Sequence, residues 1–206
     1  MIERMTGPKR PARRRTNDPE AMRARILDAA ADLFLRKGYH DTSVQEVMRA
    51  AGVTAGALHH HFGSKKQLGL SVVTDRIAQS VREAWIEPVE RAPDAVSGVR
   101  AAFHLVADGL REQGFVRGCP ANNLAAELAF ADADFRETLQ PIFEQWRGAI
   151  ARRLIGEGRD MDQARDLATL VVAAYSGAMS MAKVEQSPEP LLIALRALEG
   201  RLSLAG

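Results

Sequence analysis

Apolar side chains recur along this chain at intervals of three and four residues, the period of a helix with one buried face, and nowhere in the strict alternation of a half-buried strand. Ile26, Ala29, Ala30, Leu33 and Phe34 form the first stripe, opened by Asp18 as N-cap with Pro19 at the first helical position and closed by Gly38. Val44, Val47 and Met48 form a short second stripe behind Ser43, with Glu46 spaced for a capping box, Gly52 to end the helix and Val53 to pack against that end. Thr54 caps a third short helix whose inner face is Leu58 and Phe62, and Gly63 breaks it. Ser64 with Gln67 offers a second capping box, here for a long helix running to about Trp85. After Pro88 the pattern predicts helices over Ala95 to about Gln113, Asn122 to Ala131, Phe135 to Leu154 with Pro141 breaking or kinking its first part, Gln163 to Glu185, and Glu189 to Leu202. The expected fold is all-α with about nine helices and no repeats.

The second and third helices, joined by a glycine turn, have the form of a helix-turn-helix, in which the second helix lies in the major groove and offers its N-terminal residues to base edges. Ala55, Gly56 and Ala57 are too small to hold that backbone away from a surface. His59, His60 and His61 then fan out at roughly 100° per residue around the helix, given its 3.6-residue turn. His59 and His60 are the expected hydrogen-bonding groups toward bases or phosphates, while His61 packs or faces solvent. Three consecutive helical residues cannot reach one ion, and no Cys, Asp or Glu stands beside them, so no metal and no cofactor is expected. Lys65 and Lys66 stand in the first turn of the fourth helix, where the macrodipole favours acidic residues; contact with phosphate would account for them.

The run from Ile26 through Leu68, AAADLFLRKGYHDTSVQEVMRAAGVTAGALHHHFGSKKQL at its centre, resembles the N-terminal DNA-binding domain of TetR-type transcriptional regulators. The resemblance rests on Ala30, Leu33-Phe34, Lys37-Gly38-Tyr39, Thr42-Ser43, Ala51-Gly52-Val53, Gly56, Leu58, Phe62 and Ser64-Lys65, and covers about the first third of the chain. It implies three reader helices, a larger helical domain for ligand binding and dimerisation, and a DNA contact set of Thr42, Ser43, Thr54, Ala55, Gly56, His59, His60 and Lys65. One departure stands out: the family's recognition helix usually has tyrosines flanking a histidine, where this chain has His59 and His61 around His60.

Charge follows the same division. Lys and Arg outnumber Asp and Glu 13 to 7 over residues 1–66, whereas acidic residues lead 19 to 15 over the remainder. The basic end is the end with the helix-turn-helix, as contact with a polyanion requires. The domains expected are a disordered basic arm at 1–17, a DNA-binding domain at 18–66, and a ligand-binding and dimerisation domain at 67–206. The arm has the composition to lie along phosphates or in a minor groove, or to be an inert tail. No apolar run reaches the length a membrane span needs, the N-terminus lacks a signal peptide's apolar centre, and one cysteine forbids an internal disulfide; a cytoplasmic protein is expected.

The last two helices are apolar, with small Ala173, Gly177 and Ala178 interleaved among Leu167, Leu170, Val171 and Ala174. They read either as core helices of a monomer or as one half of a two-fold four-helix interface, and a homodimer seeking a palindrome is the reading the resemblance implies. Candidate ligand-binding residues are Phe103, Leu105, Phe115, Cys119, Asn123, Phe130, Trp146, Tyr175 and Met179, because small-ligand sites combine apolar and aromatic walls with a few polar groups. Cys119 heads a helix, where the macrodipole and Arg117 would lower its pKa, and the segment resembles a TetR-type subgroup in which some members sense electrophiles or oxidants; a small buried hydrophobe is the other reading. No nucleophile elbow, phosphate-cradling glycine loop or zinc spacing points to an enzyme. The function expected is a ligand-responsive regulator, a repressor released from DNA by a small molecule. The alternative is a thiol-reactive or small-molecule-binding helical protein whose helix-turn-helix is only structural.

Overall fold

A computed structural model describes residues 18–203, so the basic arm at 1–17 and the last three residues lie outside the described residues. Nine helices and no strand are present among the described residues: α1 Pro19–Lys37, α2 Val44–Ala51, α3 Ala55–Phe62, α4 residues 65–91, α5 Ala95–Gln113, α6 Pro120–Leu128, α7 Ala133–Gly156, α8 Met161–Glu185 and α9 Glu189–Ser203. Asp18 caps α1 by accepting from the Glu20 and Ala21 amides, and Leu27 joins the buried stripe on that helix. The first three helices form the small N-terminal unit, and α5 to α9 pack into the larger one.

The fourth helix joins them and differs from expectation. It runs past Trp85 to Arg91, because two stretches, Val73–Ile77 and Arg82–Ile86, are wound one residue wider per turn: the Ala78 amide reaches the Val73 carbonyl and the Glu87 amide reaches Arg82. Pro88 follows directly on the second wide turn, where the i→i−4 ladder it would break is already interrupted. Only half of the expected capping box opens α4. The Ser64 hydroxyl accepts from the Gln67 amide, while the Ser64 amide turns to the Phe62 carbonyl. Pro141 does not end α7, which is unbroken through Gly156, and α6 starts earlier than expected, at Pro120.

The centre of the larger unit is an aromatic knot of Trp85, Phe103, Trp146 and Tyr175, with ring centroids 4.7 to 5.8 Å apart and every ring at most 3% exposed. Fully burying side chains of this size contributes roughly 1.5–3 kcal/mol each. Against the expectation that no segment is apolar enough, α8 is by length and composition able to cross a membrane; here Val171, Val172, Tyr175, Ala178, Met179 and Ala182 on its inner face are core residues.

The two units meet at Tyr39, whose ring stands between Phe34 at 5.2 Å and Phe135 of α7 at 5.1 Å. Gly69 makes that possible: a Cβ there would lie 2.7 Å from ring carbons of both Tyr39 and Phe135. In an exposed helix, alanine for glycine would gain about 1 kcal/mol. At this site overpacking of two buried rings costs about 1–3 kcal/mol, so Gly69→Ala is expected to lower stability on balance, seen as a lower urea midpoint with unchanged slope. A raised midpoint would show that the rings have room to move.

Candidate nucleic-acid interface and the cavity behind it

The reader is built as its sequence directs. Ser43 Oγ accepts from the Glu46 amide at 3.2 Å, and Glu46 accepts from the Ser43 amide at 2.9 Å, closing the capping box. Lys37 pairs with the same carboxylate, and these bonds hold the Glu46 pKa down at about 2. Gly52 ends α2 in the left-handed region, φ 65°, where a side chain would be strained, and the Val53 amide closes on the Met48 carbonyl. Thr54 then caps α3 through the Ala57 amide. Leu58 and Phe62 are buried, which turns Ala55, Gly56, His59 and His60 outward; His61 is half-buried. A Cβ on Gly56 would meet nothing, so this nose of α3 fronts open space. Ala55, Gly56, His59 and Lys65 line one surface groove of about 550 Å³ together with Val44 and Met48 of α2.

Two of the residues expected at DNA face elsewhere. Thr42 is 1% exposed and donates its hydroxyl to the Gly38 carbonyl at 2.7 Å, so it braces the α1–α2 corner and offers nothing to a phosphate. Ser43 spends its amide and hydroxyl on Glu46. Lys65 has a structural post as well: its ammonium donates to the His40 carbonyl at 3.1 Å and lies 4.5 Å over the Tyr39 ring. Lys66 is not a phosphate ligand in this arrangement, because Asp132 and Asp134 of the larger unit hold it at 2.8 and 2.7 Å and raise its pKa further. Within residues 18–66 Lys and Arg number 7 against 6 Asp and Glu, so the basic surplus of this end belongs to residues 1–17, outside the described residues.

The reader is held from behind by groups that periodicity did not single out. Glu127, in the last turn of α6, accepts from the Tyr39 amide at 2.8 Å and the His40 amide at 2.6 Å, one from each carboxylate oxygen. Burial pushes the Tyr39 phenol above its ordinary pKa, and Asp132 adds to this. On the other side Arg117 reaches Asp32 at 3.2 Å, Arg76 reaches Asp28 at 2.6 Å, and Arg23 reaches Asp75 at 2.7 Å. Glu127 stood in the sequence within a run already noted, but its partners lie 88 and 87 residues away, a distance no local pattern reports.

At the other end of α6 lies a cavity of about 330 Å³. Of the nine expected ligand residues, Leu105, Cys119, Tyr175 and Met179 line it, and Trp85, Leu110 and Leu35 of α1 complete the wall. Asn123 lines a neighbouring cavity instead. Phe103 and Trp146 are fully buried in the aromatic knot, so they support the wall from behind. Phe115 packs under the Arg117 guanidinium, 4.0 Å from its ring centroid, outside the lining. Phe130 is 101% exposed on the α6–α7 loop and was misjudged: helical continuation through Ala131 would have turned it inward, but α6 ends at Leu128.

The chemistry of the cavity is apolar with a few polar points. Trp85 Nε1 is buried beside the Tyr175 ring, 4.7 Å between centroids, and Ser80, Gln113 and Arg117 are the polar side chains of the lining. Of the two readings of Cys119, its burial favours the small wall residue. Burial pushes its pKa up, outweighing the Asn122 and Ala121 amides and the Tyr175 hydroxyl that favour the thiolate, and Arg117 is turned to Asp32 and Phe115. The thiol is protonated at neutral pH and serves as wall.

Comparison with known proteins fits this geometry. Residues 26–72 match the family model of bacterial regulatory proteins, tetR family, and residues 95–197 match the C-terminal domain of LmrA/YxaF-like transcriptional regulators. The chain is 30% identical to the HTH-type transcriptional repressor DhaR of Mycobacterium sp. (strain GP1), over 82% of this chain and 86% of that protein. It is 26% identical to the HTH-type transcriptional regulator YxaF of Bacillus subtilis (strain 168), over 83% and 90% respectively. The crystal structure of regulatory protein TetR from Rhodobacter sphaeroides superposes with a TM-score of 0.76 at 25% identity, covering 86% of this chain and 96% of that one.

Glutamine at position 127 keeps the shape but replaces one acceptor oxygen by a donor that opposes an amide. Glu127→Gln is expected to speed hydrogen exchange at the Tyr39 and His40 amides about ten-fold, equivalent to roughly 1.4 kcal/mol of lost protection, with the aromatic knot unaffected. Equal exchange in the variant and the parent would mean that the carboxylate does not hold the corner.

Proposed function

Because this chain belongs to the TetR family of bacterial regulatory proteins, and is a DNA-binding transcriptional regulator and not an enzyme, we propose that it acts in the cytoplasm as a dimeric repressor of a palindromic operator, released by a small-molecule effector. The observation that carries the reading is the nose of α3: Ala55, Gly56, His59 and His60 stand outward on a helix fixed from behind by Leu58 and Phe62. Thr54 and Lys65 flank them, and His59 is the side chain best placed to read a base edge. A helix-turn-helix serving only the protein's own packing would not leave this edge uncovered.

A dimer is supported by the outer faces of the last two helices. Leu170, Met181 and Val184 of α8 and Ile193 of α9 are 38, 57, 85 and 52% exposed, with small Ala173 and Gly177 between them on α8. Such a contiguous apolar stripe is what a two-fold helical interface covers. A single reader touches too few base pairs to select a site, whereas two readers about 34 Å apart, or a multiple of that, select a palindrome.

The 330 Å³ cavity is the proposed effector site. Its mostly apolar lining, with Ser80, Gln113 and Arg117 as the polar side chains, favours a largely hydrophobic molecule with a hydrogen-bond acceptor. Such an effector releases DNA only by as much as it prefers the DNA-incompetent arrangement, typically about 1–3 kcal/mol. The raised pKa of Cys119 does not favour the thiol-reactive alternative.

The test begins with selection of bound duplexes from a random pool; the absence of salt-dependent affinity for any duplex would end the reading. On the selected duplex, His59→Ala is expected to weaken binding about ten-fold or more at fixed salt while sparing non-specific affinity. Unchanged affinity removes His59 from the reader. Val184→Glu should convert the dimer to monomer in sedimentation velocity and weaken operator binding with it; a dimer that persists with full affinity places the interface elsewhere.

A further inference from the structure

A second cavity, of about 250 Å³, lies where the reader's first helix meets α4 and α6, walled by Ala31, Phe34 and Leu35, by Val72 and Ile77, and by Leu124. We propose that this junction is a binding site in its own right, for an uncharged apolar molecule of one-ring size, such as a benzene or an indole. An occupant would touch the reader helix directly, without α4 as an intermediary.

Three observations converge on this. The first is volume and lining: about 250 Å³ of space, open to solvent on one side, is backed by Ala31, Phe34, Leu35, Val72, Ile77 and Leu124, with Asp32, Arg76, Ser80 and Asn123 at its polar rim, which is room and apolar wall enough for one ring. The second is that its polar rim is already engaged within the protein. Asp32 pairs with Arg36 and Arg117, Arg76 with Asp28, and the Asn123 amide donates to the Arg117 carbonyl, so the site discriminates against charge. The third is position. Asp32 and Arg76 belong both to the rim and to the ion pairs that tie α1 to the rest of the chain.

Leu35, Ile77, Ser80 and Pro120 are shared with the wall of the effector cavity, yet Ala31, Phe34, Val72 and Leu124 are not, which makes the two sites separable by substitution. Because the space is already formed, an occupant needs no rearrangement and stabilises the arrangement in which the space exists. Ligand at the junction therefore stiffens the reader's set against the body. The binding claim stands without the regulatory reading; only its consequence for DNA rests on that reading.

The test uses the full chain without DNA. Crystals under xenon pressure, and crystals soaked in benzene or indole, should show density between Phe34, Leu35 and Leu124, and saturating benzene should slow amide exchange over residues 31–35 and 72–77. Ala31→Phe fills the space from a residue that the effector cavity does not use, and should abolish both signals; Leu124→Trp serves if that variant does not fold. Density confined to the effector cavity, no density at all, or full binding by the folded filled variants would each overturn the proposal. Operator affinity with and without benzene is read separately: probe at the junction in a protein that binds no duplex would sink the regulatory reading and leave this site standing.

Discussion

The hold of the larger unit on the α1–α2 corner is the constraint on which the rest depends. Helices of eight residues are too short to persist by themselves, and α2 and α3 are both that length. They persist because Val47, Leu58 and Phe62 are buried in the core they share with α1 and α4, but that packing alone says nothing of where the reader points. Its direction is set at Tyr39, a ring wedged between Phe34 and Phe135 with its backbone amide clasped by Glu127. Lys65 and Lys66 complete the corner from the first turn of α4, one on the His40 carbonyl and one on Asp132 and Asp134. Both lysines at this helix start therefore have partners within the protein.

From the corner the structure leads through α6 to the cavities. This helix has nine residues, about 13 Å at 1.5 Å per residue. Cys119 at its start lines the 330 Å³ cavity, Pro120 lines both cavities, Asn123 and Leu124 line the 250 Å³ one, and Glu127 at its end holds the α1–α2 corner. The wide turns of α4 interrupt the regular ladder in the one helix that spans both units, where a change of tilt needs the least cost in hydrogen bonds.

Affinity and specificity also divide along the chain. Residues 18–66 are nearly balanced in charge, with 7 Lys and Arg against 6 Asp and Glu, and the groove beside α3 is lined mainly by small, apolar and imidazole side chains with Lys65. Phosphate contacts position a protein on a duplex and supply most of its salt dependence. Residues 1–17 carry six Lys and Arg against one acidic residue, so the basic surplus of this end lies in that segment.

Local chemistry was legible in the sequence wherever cause and effect lie within one turn. Asp18, Ser43 with Glu46, Thr54, Gly38 and Gly52 announce the first three helices, and the spacing of Leu58 and Phe62 turns Gly56 and His59 outward, because capping and helical periodicity act over three or four residues. What joined residues far apart was not legible. The same apolar letter marks Phe103 in the knot, Phe115 under a guanidinium and Phe130 in the open, since burial depends on where a helix ends and what then covers it. Likewise the macrodipole argument for Cys119 was sound locally and lost to desolvation, which only the surrounding helices impose. Thr42, expected at DNA, and Glu127, not singled out, both brace the α1–α2 corner for the same reason: a hydrogen bond is chosen by the nearest partner in space, and folding sets which partner that is.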